Sequence, residues 1–118
     1  MSMRATPTDG LLYSSLAFDP DLAPLVDLFV EDLPDRAEIL LDRMQASDYE
    51  GLRRLAHQMS GAAGSYGFQD ITIEAAALEQ MLVQHASEQD VAAAVNSLID
   101  VLRRARGAHG FDRGDSAH

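Results

Sequence analysis

Apolar residues recur at helical spacing through most of the chain, in blocks separated by short polar turns. The first block runs Leu22, Leu25, Val26, Phe29, Leu33, Ala37, Leu40, Leu41 and Met44, the i, i+3, i+4, i+7 rule of a helix with one buried face. Asp19-Pro20-Asp21 ahead of it reads as a helix start, with an acidic cap and a proline in the first turn. Pro34 interrupts the block, so a bent helix, or two in succession, is predicted over about 21 to 46. The second block holds Leu52, Leu55, Met59, Ala62, Ala63 and Tyr66. Ser47-Asp48-Tyr49-Glu50 precedes it as a capping box, and Gly67 is placed to end it in a left-handed cap followed by apolar Phe68. Asp70 is predicted to cap a third helix, with a stripe of Ile71, Ala75, Leu78, Met81 or Leu82, and His85. Ser87 caps a fourth, which has Asp90 in its first turn and Val91, Val95, Leu98, Ile99 and Leu102 inward. Arg103, Arg104 and Arg106 then fall where positive charge suits the helix dipole.

No stretch reads as a strand, because β-branched residues are few and never alternate over a usable length. Residues 1–18 form an N-terminal arm, and Leu11, Leu12, Tyr13, Leu16 and Phe18 are apolar enough for part of it to pack as a short extra helix. Residues 107–118, with three glycines and little apolar content, are expected to be a disordered, flexible tail. The domain is predicted over 19–106. Short connections make neighbouring helices antiparallel. The fold class is all-α, an antiparallel helix bundle.

Composition narrows the function more than the fold. A chain of 118 residues is one domain with a real core. It has no cysteine, which excludes disulfides, thiolate metal sites and a cysteine nucleophile. The net charge is −10, and the nine basic residues are all arginine. Without a clustered basic surface, nucleic acid is not an expected partner. No apolar run is long enough for a bilayer and no secretory signal is visible, so a cytoplasmic chain with no membrane association is expected. Met1 ahead of a complete bundle pattern suggests a free-standing protein.

Enzyme motifs are missing. A P-loop needs a lysine that the chain lacks. Gly61, Gly64 and Gly67 have the wrong spacing and context for a dinucleotide fingerprint. A di-iron bundle needs Glu-x-x-His, but Arg54 and Leu82 stand three before His57 and His85. Ser65 is not in a nucleophile elbow. No metal site, and no cofactor of the chain's own, is expected.

What remains is His57, which points away from the second stripe and shares its side of the helix with Arg53, Arg54, Ser60, Gly61 and Gly64. Each glycine forgoes about 0.8–1 kcal/mol against alanine inside a helix. Spacing alone leaves two reasons open, access for a partner or close packing of a neighbouring helix. A neutral imidazole nitrogen is a competent nucleophile toward phosphorus. Arg53, Arg54, Gln58 and Ser60 are candidate donors to phosphoryl oxygens. His85 falls on or beside the third stripe and reads as a buried or capping residue.

The stretch His57-Gln58-Met59-Ser60-Gly61-Ala62-Ala63-Gly64-Ser65-Tyr66-Gly67-Phe68, followed by Ala76-Ala77-Leu78-Glu79, resembles the histidine-containing phosphotransfer (HPt) domain of multistep phosphorelays. The likeness extends upstream through Phe29 to Asp48 and covers about residues 20 to 105. It implies a four-helix antiparallel bundle whose exposed histidine accepts a phosphoryl group from a receiver-domain aspartate and passes it to another receiver. It implies a carrier without its own ATP site, with Mg²⁺ held by the receiver. The expected partners are response-regulator receivers, with a hybrid histidine kinase as a further candidate, and the expected state is a monomer. His57 matches the phosphoacceptor and Gly61 the small residue that makes room for the phosphoryl group. Glu79 matches the position from which some members bond the histidine Nδ1, leaving Nε2 as nucleophile. Leu22, Phe29 and Ile71 are candidates for a receiver-docking patch, with burial an equal alternative.

One position departs from the pattern. The family usually has lysine three residues after the histidine, and here Ser60 supplies a hydroxyl without charge. Arg53 or Arg54 could substitute from the preceding turn. The departure keeps open a degenerate bundle that binds a receiver or kinase without transferring phosphate. A metal- or cofactor-carrying bundle enzyme is a weaker rival, lacking its Glu-x-x-His pairs.

Overall fold

Pro34 does not divide the first helix. In a computed structural model that describes residues 10–107, α1 runs unbroken over Ala23–Gln45. The proline removes one backbone hydrogen bond, yet Val26 and Phe29 before it and Leu33, Ala37 and Leu40 around and after it are all buried on one face. That continuous stripe holds both halves of the helix against the same core, and tertiary packing overrides the local interruption. The alternative of two successive helices is therefore discarded.

Three more helices follow, α2 (Tyr49–Ser65), α3 (Gln69–Val83) and α4 (Glu88–Arg104). Each packs on its neighbours in sequence, and α1 closes the ring on α4. The result is a four-helix bundle whose short connections set adjacent helices antiparallel. Leu33, Leu40, Leu52, Ile71, Leu78 and Leu98 are the largest side chains wholly removed from solvent.

Three of the expected helix starts shift. Asp19 does not cap α1. Its backbone carbonyl instead accepts from the Leu22 and Ala23 amides, and its Oδ1 accepts from the Asp21 amide at 2.9 Å. This turn delays the helix to Ala23 and puts Pro24, not Pro20, in the first turn. Ser47 does not form a capping box with Glu50. Ser47 takes a left-handed conformation (φ 55°), and Asp48 becomes the cap, its Oδ1 accepting the Gly51 amide at 2.9 Å. A side chain at Gly51 would collide with that Asp48 carboxylate, so the glycine admits the cap. Asp70 lies inside the first turn of α3 rather than at its cap, which Phe68 provides through its backbone alone. There its negative charge still complements the helix dipole. Ser87 caps α4 as expected, its Oγ accepting the Asp90 amide at 3.1 Å.

The C-terminal ends of α1, α2 and α3 all close in left-handed turns, that of α1 at Ser47. Gly67 (φ 81°) donates to the Gly64 carbonyl while Phe68 donates to the Ala63 carbonyl and buries its ring. At the end of α3 the same geometry falls on His85 (φ 58°), with His85 donating to Leu82 and Ala86 to Met81. His85 is exposed, so it is a capping residue and not part of the core stripe. Leu82, rather than Met81, is the buried member of that stripe.

The ends of the chain correct two further expectations. Leu12–Tyr13 (β1) pairs in parallel with Ala105–Arg106 (β2), a two-residue ladder below the reach of any periodicity argument. The arm is pinned by Ser14, which is buried and donates from Oγ to the Tyr66 carbonyl, while the Ser15 amide donates to the Gly67 carbonyl. Residues 15–18 and 20–22 form turns and not an extra helix, and Phe18 is 95% exposed. Gly107, expected to begin the tail, is buried against Asp27 with no room for a Cβ. Residues 1–9 of the predicted arm and 108–118 of the predicted tail lie outside the described residues.

Candidate functional site

His57 lies midway along α2 with its side chain 74% exposed. The buried stripe of that helix (Leu52, Ala56, Met59 and Ala63) leaves position 57 on the flank that turns toward α3. Across the gap, Ile71, Ala75, Leu78 and Leu82 anchor α3 in the core. Glu79 follows Leu78 and therefore emerges at the edge of the α2–α3 seam. Its side chain is only 26% exposed, and its Oε2 and Oε1 lie 3.0 and 3.3 Å from His57 Nδ1. Two turns earlier on the same flank of α3, Thr72 Oγ1 donates to the Ser60 carbonyl at 3.2 Å. This bond ties the two helices together beside the histidine. A carboxylate oxygen can only accept, so in the neutral ring this contact favours the tautomer with the proton on Nδ1 and the lone pair on Nε2.

The two glycines turn out to have separate reasons. A Cβ at Gly61 would meet nothing within 4 Å, whereas one at Gly64 would lie 3.5 Å from Thr72 Oγ1. Gly61 opens the surface one turn beyond His57, and Gly64 faces the α3 seam at ordinary contact distance. Gly61→Ala should thus be accepted by the fold and raise stability by about 0.8–1 kcal/mol in urea denaturation. A loss of stability would mean that close packing, not access, explains this glycine.

The candidate donors distribute unevenly. Arg53 is committed to Glu50, with Nη2 2.6 Å from Oε2 and Nε 3.4 Å from Oε1. That hydrogen-bonded guanidinium lowers the Glu50 carboxyl from its ordinary pKa, and Glu50 in turn raises Arg53. Glu79 adds a smaller Coulombic contribution in the same sense on Arg53. Arg54 and Gln58 are exposed on the open side of α2 and make no hydrogen bond or ion pair among the described residues. Ser60 is half-buried toward α3. The structure thus brings His57 to Glu79 beside Gly61 and the Ser60 backbone, holds Arg53 on Glu50, and leaves Arg54 and Gln58 exposed at the rim.

Two participants escaped the sequence reading. Glu50 reads in the sequence as part of a capping box, although its i, i+3 spacing to Arg53 also signals an ion pair. Thr72 carries no short-range signal, since its role depends on how α3 lies against α2. The docking candidates also change. Phe29 and Ile71 are buried, Phe29 stacking on Tyr66 and Phe68 with centroids 5.0 and 5.8 Å apart. Leu22 is half-buried. The exposed apolar residues on that flank are Leu25 and Leu28, which line an open groove of about 550 Å³ with Ala62 and Tyr66.

Among the described residues no cluster of His, Cys, Asp and Glu is arranged to hold a metal, and no helix is long and apolar enough to cross a membrane. Comparison with curated proteins and with solved structures gives no match. Residues 24–108, well over half of the chain, match the family model described as Hpt domain. That span contains α1 from its second residue, all of α2, α3 and α4, and both His57 and Glu79. The chain belongs to the Hpt domain family, phosphotransfer carriers of two-component relays that interact with receiver domains and histidine kinases.

Proposed function

We propose that the protein is a phosphorelay intermediate with His57 as its phosphoacceptor. The observation that carries this reading is the contact between His57 Nδ1 and Glu79 at 3.0 Å on an otherwise exposed ring. The Nε2 lone pair attacks the phosphorus of a receiver's aspartyl phosphate. An N–P bond forms, the P–O bond to aspartate breaks, and the carboxylate departs with the electron pair. Nδ1 keeps its proton on Glu79 throughout, which offsets the positive charge that develops on the ring. The second transfer reverses these steps on another receiver's aspartate. The receiver supplies Mg²⁺, and this chain supplies a rigidly held nucleophile on a convex face.

In this reading Gly61 makes room for the phosphoryl group, and Arg54, Gln58 and the Ser60 hydroxyl are donors at its rim. Gly64 faces Thr72 across the α2–α3 seam, where an added methyl would sit at ordinary contact distance. The protein works as a monomeric carrier in the cytoplasm, alongside its receivers and a hybrid histidine kinase. Incubation with a phosphorylated receiver domain and Mg²⁺ should place acid-labile, alkali-stable phosphate on the chain, and addition of a second receiver should remove it. Receiver binding without any label supports instead a docking bundle that transfers nothing, a reading favoured by Ser60 standing where the family usually has lysine.

Glu79→Ala is expected to slow transfer about two- to tenfold, the weight of one partly exposed charge-assisted hydrogen bond. The helical content should be unchanged by circular dichroism. Wild-type transfer rates in this variant would remove Glu79 from the mechanism.

A further inference from the structure

The chain has no lysine to pair with a phosphoryl group on His57, and the arginine four residues before the histidine is already occupied. Arg53 is four residues before His57, so the two side chains rise from one face of α2 with their Cβ atoms about 6 Å apart. A guanidinium spans that gap with length to spare. The Arg53 guanidinium is held one turn away, at 2.6 Å from Glu50. The pair is solvated, with side chains 37% and 63% exposed. Ion pairs of this kind contribute little and exchange partners readily. A phosphoryl group carries more negative charge than a carboxylate and offers three acceptor oxygens. It is therefore a strong competitor for the same fork.

We propose that Glu50 acts as a competing anion that governs how firmly Arg53 holds the phosphoryl group on His57. The inference rests on His57 being the phosphoacceptor. In the unphosphorylated protein Arg53 stays with Glu50. When Nε2 is phosphorylated, Arg53 divides between Glu50 and the phosphoryl oxygens. A bound guanidinium opposes loss of the phosphoryl group to water when the dianionic oxygens of the phosphohistidine hold it more tightly than the lower charge of a loose, metaphosphate-like transition state does. Glu50 therefore shortens the lifetime of the phosphohistidine, and Arg53 lengthens it. A cation with no carboxylate partner would hold the group without this competition.

The test uses phosphoramidate, a small donor that needs no partner protein. Nε2 attacks its phosphorus, the donor's P–N bond breaks, and ammonia leaves with the electron pair. Decay of the acid-labile phosphate is then followed by intact mass for wild type, Glu50→Gln, Arg53→Gln and the double variant. In decay, water attacks phosphorus while the N–P electron pair returns to Nε2. Glu50→Gln should lengthen the lifetime about two- to fivefold, the span of one exposed ion pair. Arg53→Gln should shorten it, and adding Arg53→Gln to Glu50→Gln should abolish the gain. Equal lifetimes in wild type and Glu50→Gln overturn the proposal and leave His57 as acceptor untouched. A gain in Glu50→Gln that survives loss of Arg53 also overturns it, since the effect then comes from the charge of the helix start. No label on His57 from phosphoramidate or from a phosphorylated receiver overturns the underlying reading and this inference with it.

Discussion

His57→Gln is expected to carry no acid-labile phosphate after incubation with a phosphorylated receiver domain and Mg²⁺, under conditions that label the wild-type chain. Glutamine offers Glu79 an amide donor of similar reach but has no lone pair on a basic nitrogen, so it removes the nucleophile and little else. Position 57 is exposed, and substitutions at exposed helical sites away from special features shift stability by about 0.5 kcal/mol or less. The urea midpoint should accordingly stay near that of wild type, and receiver binding should persist. His85 is the internal control, because it is also exposed but caps the far end of α3. His85→Asn should label normally, asparagine being tolerant of the left-handed conformation there. Equal label on His57→Gln and wild type would move the acceptor elsewhere and dismantle the proposed function.

Leu78→Ala should lower stability by about 2–5 kcal/mol. The side chain is fully buried in the cluster shared by all four helices, so its removal combines the lost transfer free energy with an unfilled cavity. A domain of this size has about 5–15 kcal/mol in total. The urea midpoint should therefore fall steeply with an unchanged slope. The functional consequence follows from adjacency, since Leu78 is the anchor that places Glu79 at the α2–α3 seam. Transfer at low temperature, where the variant is still folded, should drop toward the Glu79→Ala level but not to that of His57→Gln. A destabilisation below about 1 kcal/mol would mean that α3 repacks around the gap.

The legible parts of this protein are those set by short-range spacing. The four stripes (apart from Leu25 and His85, which are exposed), the left-handed turn at Gly67 and the Ser87 cap each depend on residues within one or two turns of one another, and these stand as expected. The errors share a different origin. The Asp19 turn, the Asp48 cap and the start of α3 were settled by competition among several nearby polar groups, which spacing rules weigh poorly. The β1–β2 pair joins residues 12–13 to 105–106, and two residues carry no period to detect. Phe18 looked like core but found no partner once the arm was pinned by Ser14 and Ser15 instead.

By itself the sequence determined the bundle, the face on which His57 stands and the kind of chemistry an exposed imidazole can perform there. These are properties of periodicity and side-chain type, which need no knowledge of distant neighbours. Only the tertiary structure decided which nitrogen of His57 is engaged, because Glu79 lies 22 residues away and reaches it through the packing of α3 on α2. The same packing separated the two glycines, one open to a partner and one turned to Thr72. It also showed Arg53 bound to Glu50, and Arg54 without a hydrogen bond or ion pair among the described residues, since which of two adjacent guanidiniums is occupied depends on where nearby carboxylates come to rest.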